Sequence, residues 1–120
     1  MTTTTMTISS VIFDCEDPAT LADFYAKATG GRISHSDDDF ATVEGGPVGL
    51  AFQRVPGYRS PGWPDDAKHV HLDLQVADVE TAVKELVRLG AAVPEFQPGG
   101  ADWTVLTDPE GHPFCVAAGG

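Results

Sequence analysis

The chain has 120 residues, of which 42% are hydrophobic and 21% are charged, and this composition is typical of a single globular domain. Seven Lys and Arg residues against eighteen Asp and Glu residues give a formal net charge of −11, so we expect no binding to nucleic acid or to an anionic membrane surface. No apolar run approaches the ~20 residues of a membrane span. The chain also starts without a basic segment, so we expect a cytoplasmic protein with reduced cysteines.

The first half of the chain predicts strand, helix and three further strands. Residues 1–7 are Thr-rich and predict a disordered tail, and residues 8–15 are rich in β-formers. Asp17 followed by Pro18 is typical of a helix start, and apolar residues at helical spacing extend that helix to about residue 29. Turn residues then separate three predicted strands, over 32–36, 40–43 and 48–53.

Residues 55–67 interrupt this pattern. The segment is rich in Pro and Gly and contains Tyr58 and Trp63, so it predicts an ordered loop or a lid.

The second half repeats the order of the first. A strand is predicted over 68–76 and a helix over 79–89, followed by strands over 91–96, 103–106 and 113–116. Asp78 corresponds to Asp17, and Trp103 corresponds to Phe40 at almost the same offset. The repetition predicts an α+β fold of two tandem βαβββ modules, residues 8–54 and 68–117, which loop 55–67 joins into a single domain over 8–117.

Side chains alternate along a strand, and this alternation predicts two faces for the strand over 68–76. One face is apolar and is expected to pack on the helices: Val70, Leu72, Leu74 and Val76. The opposite face is polar: His69, His71, Asp73 and Gln75. The same argument places Ser10, Gln53 and Cys115 on the polar sides of the first, fourth and last strands.

The duplicated βαβββ pattern resembles the vicinal oxygen chelate superfamily, which includes glyoxalase I, extradiol dioxygenases, and fosfomycin and bleomycin resistance proteins. Three segments carry the resemblance: Asp17-Pro18 to Phe24-Tyr25, His71-Leu72-Asp73-Leu74 before Asp78, and Asp108-Pro109-Glu110-Gly111-His112-Pro113-Phe114. Residues 52–58 and the Trp63-Pro64 loop resemble its bacterial glyoxalase-like branch. The resemblance implies a concave mixed sheet and a homodimer, with sites that often form across subunits.

The resemblance also implies where a metal would bind, because metalloenzymes of the superfamily take one ligand each from strands one, four, five and eight. The matching positions are Ser10, either Ala51 or Gln53, His71, and Cys115. A catalytic metal needs about three good protein donors, and only His71 is clearly one. We therefore expect no bound cofactor, although a divalent Zn, Ni, Mn or Fe ion is an alternative.

We favour a small-molecule binding protein of the antibiotic-resistance or sequestration type. The residues expected to bind the ligand are Ser10, Gln53, Arg54, Tyr58, Trp63 and Cys115, beside His71 and Asp73. One alternative is an isomerase, cyclase or lyase in which His71 acts as general base with Asp73. Metal-dependent lyase or oxidoreductase chemistry and a purely structural dimerisation module are further alternatives.

Several candidates also have a structural interpretation. Trp63 would then pin the loop, Cys115 would be a small buried hydrophobe, and His112 would be a surface or turn residue. Cys15 and Tyr25 are interpreted mainly as core residues, with a dimer surface as the alternative for Tyr25.

Overall fold

The computed structural model describes residues 8–60, 63–64 and 71–118. The predicted tail over 1–7, residues 61–62 of the loop, and His69 with its neighbours at the start of the predicted fifth strand lie outside the described residues. The chain divides into two compact units, Met1–Pro56 and Gly57–Gly120.

The first unit has the predicted βαβββ order. Its elements are β1 (Ser10–Cys15), α1 (Pro18–Thr29), β2 (Arg32–Ser36), β3 (Phe40–Glu44) and β4 (Gly49–Arg54). The four strands form one sheet in the order β1-β4-β3-β2, in which only the β1–β4 pair is parallel. The predicted helix and strands of this half are confirmed to within two residues at each end.

Helix α1 begins and ends as its sequence predicts. The Asp17 carboxylate accepts hydrogen bonds from the Thr20 backbone N–H (3.3 Å) and the Thr20 hydroxyl (2.6 Å), which satisfies one of the unpaired donors of the first turn. At the other end Gly30 has a φ of 73°, a left-handed conformation that glycine adopts without steric cost.

An aromatic cluster holds α1 against the sheet. The Tyr25 ring stacks on Phe52 with centroids 5.5 Å apart, and Phe13 lies 5.6 Å from Tyr25 and 5.4 Å from Phe52. Tyr25 and Phe52 are fully buried, as is Cys15 at the end of β1. The interpretations of Tyr25 and Cys15 as core residues are therefore confirmed.

The second unit contains four regular elements in its described part. These are β5 (Leu72–Val76), α2 (Val79–Leu89), β6 (Thr104–Thr107) and β7 (Pro113–Ala118). The strand order is β5-β7-β6, with β5 parallel and β6 antiparallel to β7, and α2 packs on β7. Neither α1, with 12 residues, nor α2, with 11, is long and apolar enough to cross a membrane.

The predicted strand over 91–96 is wrong. In this segment the structure has a single bridge, between Ala92 and Thr107. Pro94 has no N–H to donate to a neighbouring strand, and the Gln97 side chain pairs with β6 instead. Gln97 Oε1 accepts a hydrogen bond from Val105 N (2.8 Å), and Gln97 Nε2 donates to Val105 O (2.9 Å). Gln97 Nε2 also donates to Pro94 O (3.0 Å). One side-chain amide thus replaces the ladder that another strand would have supplied.

Candidate functional site

The polar face of the β5–β7 pair brings three predicted site residues together. Asp73 and Cys115 are register partners on adjacent parallel strands, and His71 precedes Asp73 by two residues, so it shares that face. One donor atom from each of the three side chains lies within 4.8 Å of the other two. The distance between His71 Nε2 and Asp73 Oδ1 is 3.4 Å.

This group is open to solvent on one side. The side chain of Asp73 is 81% exposed and that of His71 is 46% exposed, whereas Cys115 is half-buried. Burial raises the pKa of the Cys115 thiol above its ordinary value of 9.0, and the negative charge of Asp73 and a hydrogen bond to it raise it further. At neutral pH the thiol therefore keeps its proton, so it is a weak donor rather than a thiolate nucleophile.

The opposite face of the same strands is apolar, as predicted. Leu72 pairs in register with Phe114 and Leu74 with Val116, and both β7 residues are fully buried. The predicted division of this strand into two faces is confirmed over 71–76, the described part of the prediction.

In the first unit, Ser10 and Gln53 share one face of the sheet but lie far apart along it. Ser10 pairs with Gly49 and Gln53 pairs with Asp14, at opposite ends of the β1–β4 ladder. Four residues along a strand correspond to about 13 Å. The structure therefore does not bring these two predicted ligand-binding residues together.

Arg54 leaves the sheet on the other face from Gln53. Its register partner is the buried Cys15, and its backbone N–H donates to Asp39 O at 2.8 Å. The guanidinium Nη1 lies 4.0 Å from Asp39 Oδ1. In the structure Arg54 thus contacts the turn between β2 and β3.

The two aromatic residues predicted to contact a ligand both have packing partners. The Tyr58 ring stacks on His112, with centroids 5.6 Å apart and an interplanar angle of 15°. Trp63 Nε1 donates to Phe96 O at 2.9 Å, and the two rings stack at 6.0 Å. These contacts fit the structural interpretation of Trp63, in which it pins the loop to the second unit.

Sequence reasoning missed the pairing of Asp108 with His112. The Asp108 carboxylate is buried, and it accepts from the backbone N–H groups of Glu110 (2.8 Å) and His112 (3.1 Å). Its other oxygen lies 2.8 Å from His112 Nδ1. His112 is a turn residue, as predicted, but its side chain is only 13% exposed, so the surface alternative is wrong. The Asp-Pro-Glu-Gly run at residues 108–111 indicates such a turn, because Asp at the start of a turn commonly accepts hydrogen bonds from the backbone N–H groups that follow it.

The metal site that the superfamily implies does not fit the first unit. Ser10 offers a hydroxyl and Gln53 a neutral amide about 13 Å away along the strands, while Ala51 between them has no donor atom. The two donors that the first unit offers cannot converge on one ion. Of the family's positions in the second unit, His71 and Cys115 lie close to each other.

Comparisons with known proteins agree with this fold. Residues 10–117 match a family described as a glyoxalase-like domain. None of the curated proteins compared with the chain matches it significantly.

Several solved structures have the same architecture at low sequence identity. A glyoxalase/bleomycin resistance protein/dioxygenase family enzyme from Burkholderia phytofirmans PsJN has a TM-score of 0.71 and 19% identity, over 92% of this chain and 96% of that one. A glyoxalase-related enzyme from Fulvimarina pelagi has a TM-score of 0.70 and 16% identity, over 96% and 89%. The bleomycin-binding protein of Streptomyces verticillus, in complex with copper(II)-bleomycin, has a TM-score of 0.61 and 20% identity, over 98% and 100%.

These likenesses confirm the predicted α+β glyoxalase/bleomycin resistance fold. The family match covers nearly all of the described residues and agrees with the resemblance seen in the sequence. The chain belongs to the family of glyoxalase-like domains, in the vicinal oxygen chelate superfamily.

Proposed function

We propose that the protein binds a small organic molecule at the polar face of β5 and β7 and sequesters it. The observation that carries the proposal is the group formed by His71, Asp73 and Cys115, whose donor atoms lie within 4.8 Å of one another. Core packing does not require polar side chains there, because the apolar Leu72 and Leu74 lie on the other face, in register with the buried Phe114 and Val116.

The three side chains offer different hydrogen-bonding capacities. An ionised carboxylate only accepts, a protonated thiol donates weakly, and a neutral imidazole does both. Together they suit a ligand group that donates and accepts at one point, such as a hydroxyl or an amide. The net charge of −11 favours a neutral or cationic ligand over an anionic one.

The apolar part of the proposed site would come from aromatic side chains, because Val105, the register partner of Cys115 on β6, is fully buried. The rings of Tyr58 and Trp63 belong to the same unit, and such rings suit stacking on a planar ligand. The bleomycin-binding protein of Streptomyces verticillus supports a binding function for this fold, because its structure contains copper(II)-bleomycin. Ser10, Gln53 and Arg54 stay predictions of the sequence.

An enzyme is the second candidate, and the position of Asp73 favours it. With its Oδ1 3.4 Å from His71 Nε2, the carboxylate can orient the imidazole. His71 would then act as general base in an isomerase, cyclase or lyase reaction. A bell-shaped or sigmoidal pH–rate profile that His71→Ala abolishes would identify this activity.

The homodimer is proposed on the resemblance alone, and sedimentation equilibrium of the purified chain tests it. The cytoplasmic location stays a prediction of the sequence.

The binding function is tested with a defined panel of compounds. The panel contains planar aromatic compounds and bleomycin with and without copper(II), and binding is measured by calorimetry. At least one compound should bind the wild type, and Asp73→Asn should weaken that binding at least tenfold. The matched control is Asp37→Asn, because Asp37 also lies two residues after a histidine and contacts it at 2.8 Å. A panel without any binder, or equal binding by Asp73→Asn, would contradict the proposal.

A further inference from the structure

We propose that Asp108 and His112 are positioning residues, which hold the ring of Tyr58 in place before any ligand binds. The importance of this ring for binding rests on the proposed function. Asp108 and His112 lie in the turn between β6 and β7, and Tyr58 belongs to the same unit, Gly57–Gly120. The sequence alone gives His112 no part in binding.

The Asp108 carboxylate is the fixed point of this arrangement. Its side chain has no exposure to solvent, and it accepts hydrogen bonds from the backbone N–H groups of Glu110 (2.8 Å) and His112 (3.1 Å). Because a carboxylate only accepts hydrogen bonds, the 2.8 Å contact with His112 Nδ1 places a proton on that nitrogen. The carboxylate therefore fixes both the tautomer and the orientation of the His112 ring.

The segment over residues 57–60 contacts this turn at two consecutive residues. The Tyr58 ring stacks on the His112 imidazole, with centroids 5.6 Å apart and an interplanar angle of 15°. Ser60 Oγ donates to Gly111 O at 3.1 Å. The turn thus holds the segment on both sides of Arg59.

These two contacts hold the ring in advance of binding. One aromatic stacking contact and one hydrogen bond each shift a local equilibrium roughly 2- to 10-fold toward the docked form. A ring that is already ordered loses less conformational freedom when a ligand stacks on it, so the affinity rises without a new contact. Tyr58 is half-buried and therefore keeps surface on which a ligand can pack.

Limited proteolysis of the free protein tests this role, because trypsin cleaves after Arg59, between the two contacts. Arg59 is exposed, and when opening is fast relative to cleavage the rate reports the population in which the segment has left the turn. Lys84, an exposed residue of α2 in the same unit, is the internal reference. Cleavage after Lys84 requires the helix to unfold and so reports the stability of the unit.

His112→Asn keeps a donor for the Asp108 carboxylate but removes the ring that stacks on Tyr58. Cleavage after Arg59 should become at least ~5-fold faster, as for the loss of one stacking contact, while cleavage after Lys84 should not change. Asp108→Asn should accelerate cleavage after Arg59 more than after Lys84, because the imidazole loses its orientation.

The matched control is His35→Ala, which should leave both rates unchanged, because the contact of His35 with Asp37 joins two side chains that are each 54% exposed. The inference is overturned if His112→Asn is cleaved after Arg59 at the wild-type rate, or if its two rates rise by the same factor. It is also overturned if the wild type is cleaved after Arg59 as fast as the urea-unfolded chain. Because the assay contains no ligand, its failure leaves the proposed binding function to be decided by the compound panel.

Discussion

Gln97 is expected to be among the most important polar side chains for the stability of the second unit. Its amide makes three hydrogen bonds of 2.8–3.0 Å, two with the backbone of Val105 and one with Pro94 O. Val105 is fully buried, so Gln97→Ala leaves its N–H and C=O without these partners. At about 1 kcal/mol for each hydrogen bond, the free energy of unfolding should fall by about 3 kcal/mol.

Chemical denaturation of Gln97→Ala measures this loss, and Gln75→Ala is the matched control. Gln75 lies on β5 with an exposed side chain, and its replacement should change stability by less than ~0.5 kcal/mol. The corresponding fall in melting temperature for Gln97→Ala is about 10 °C. If the two variants unfold at the same denaturant concentration, the Gln97 side chain does not replace a strand and the explanation of this segment is wrong.

Three further predictions concern stability. Asp108→Asn should lower the free energy of unfolding by about 2 kcal/mol, because the buried carboxylate accepts three hydrogen bonds; unchanged denaturation would exclude a role for its charge. Asp17→Ala should cost about 1 kcal/mol at neutral pH. The hydrogen bonds from Thr20 lower the pKa of Asp17 below 3.8. The Asp17 carboxylate therefore stabilises the fold fully above pH 3.8, and this stabilisation should be lost as the pH falls through the lowered pKa. The free energy of unfolding measured as a function of pH checks this. Leu74→Ala should cost about 2 kcal/mol in the same denaturation assay, since the side chain is half-buried, and a cost near zero would contradict the assignment of its face.

Local signals in the sequence were sufficient for most of the fold. Asp17 and Pro18 begin α1 because a carboxylate cap and a fixed φ both favour the first turn, and Gly30 ends it with a left-handed φ. Alternation alone separated Asp73 from Leu72 and Leu74, because the period of two in a strand allows no other assignment.

The hydrogen bonds by which the Gln97 side chain replaces a paired strand were not predictable in the same way. The apolar run over 91–96 has the composition of a strand, but whether it pairs depends on Gln97, which reaches across to Val105. That contact is set by tertiary structure, which no local pattern in a single sequence encodes. The contact between Asp108 and His112 (2.8 Å), by contrast, lies within one turn that the Asp-Pro-Glu-Gly run indicates.

The candidate site was predictable in its members but not in its grouping. The alternation of side chains along a strand placed His71, Asp73 and Cys115 on polar faces, and the register of β5 with β7 makes Asp73 and Cys115 neighbours. Alternation also placed Ser10 and Gln53 on one face, but the register of β1 with β4 separates them. Alternation determines the face on which a residue lies, whereas the pairing register determines its neighbours.

The central claim is that His71 serves binding and not the stability of the fold. One paired measurement on His71→Ala tests it: the free energy of unfolding, and the affinity for whichever compound of the panel binds the wild type. Because the side chain is 46% exposed, the free energy of unfolding should change by less than ~0.5 kcal/mol while affinity falls at least tenfold. A variant that is strongly destabilised, yet binds the compound as tightly per folded molecule as the wild type, would show that His71 is a structural histidine.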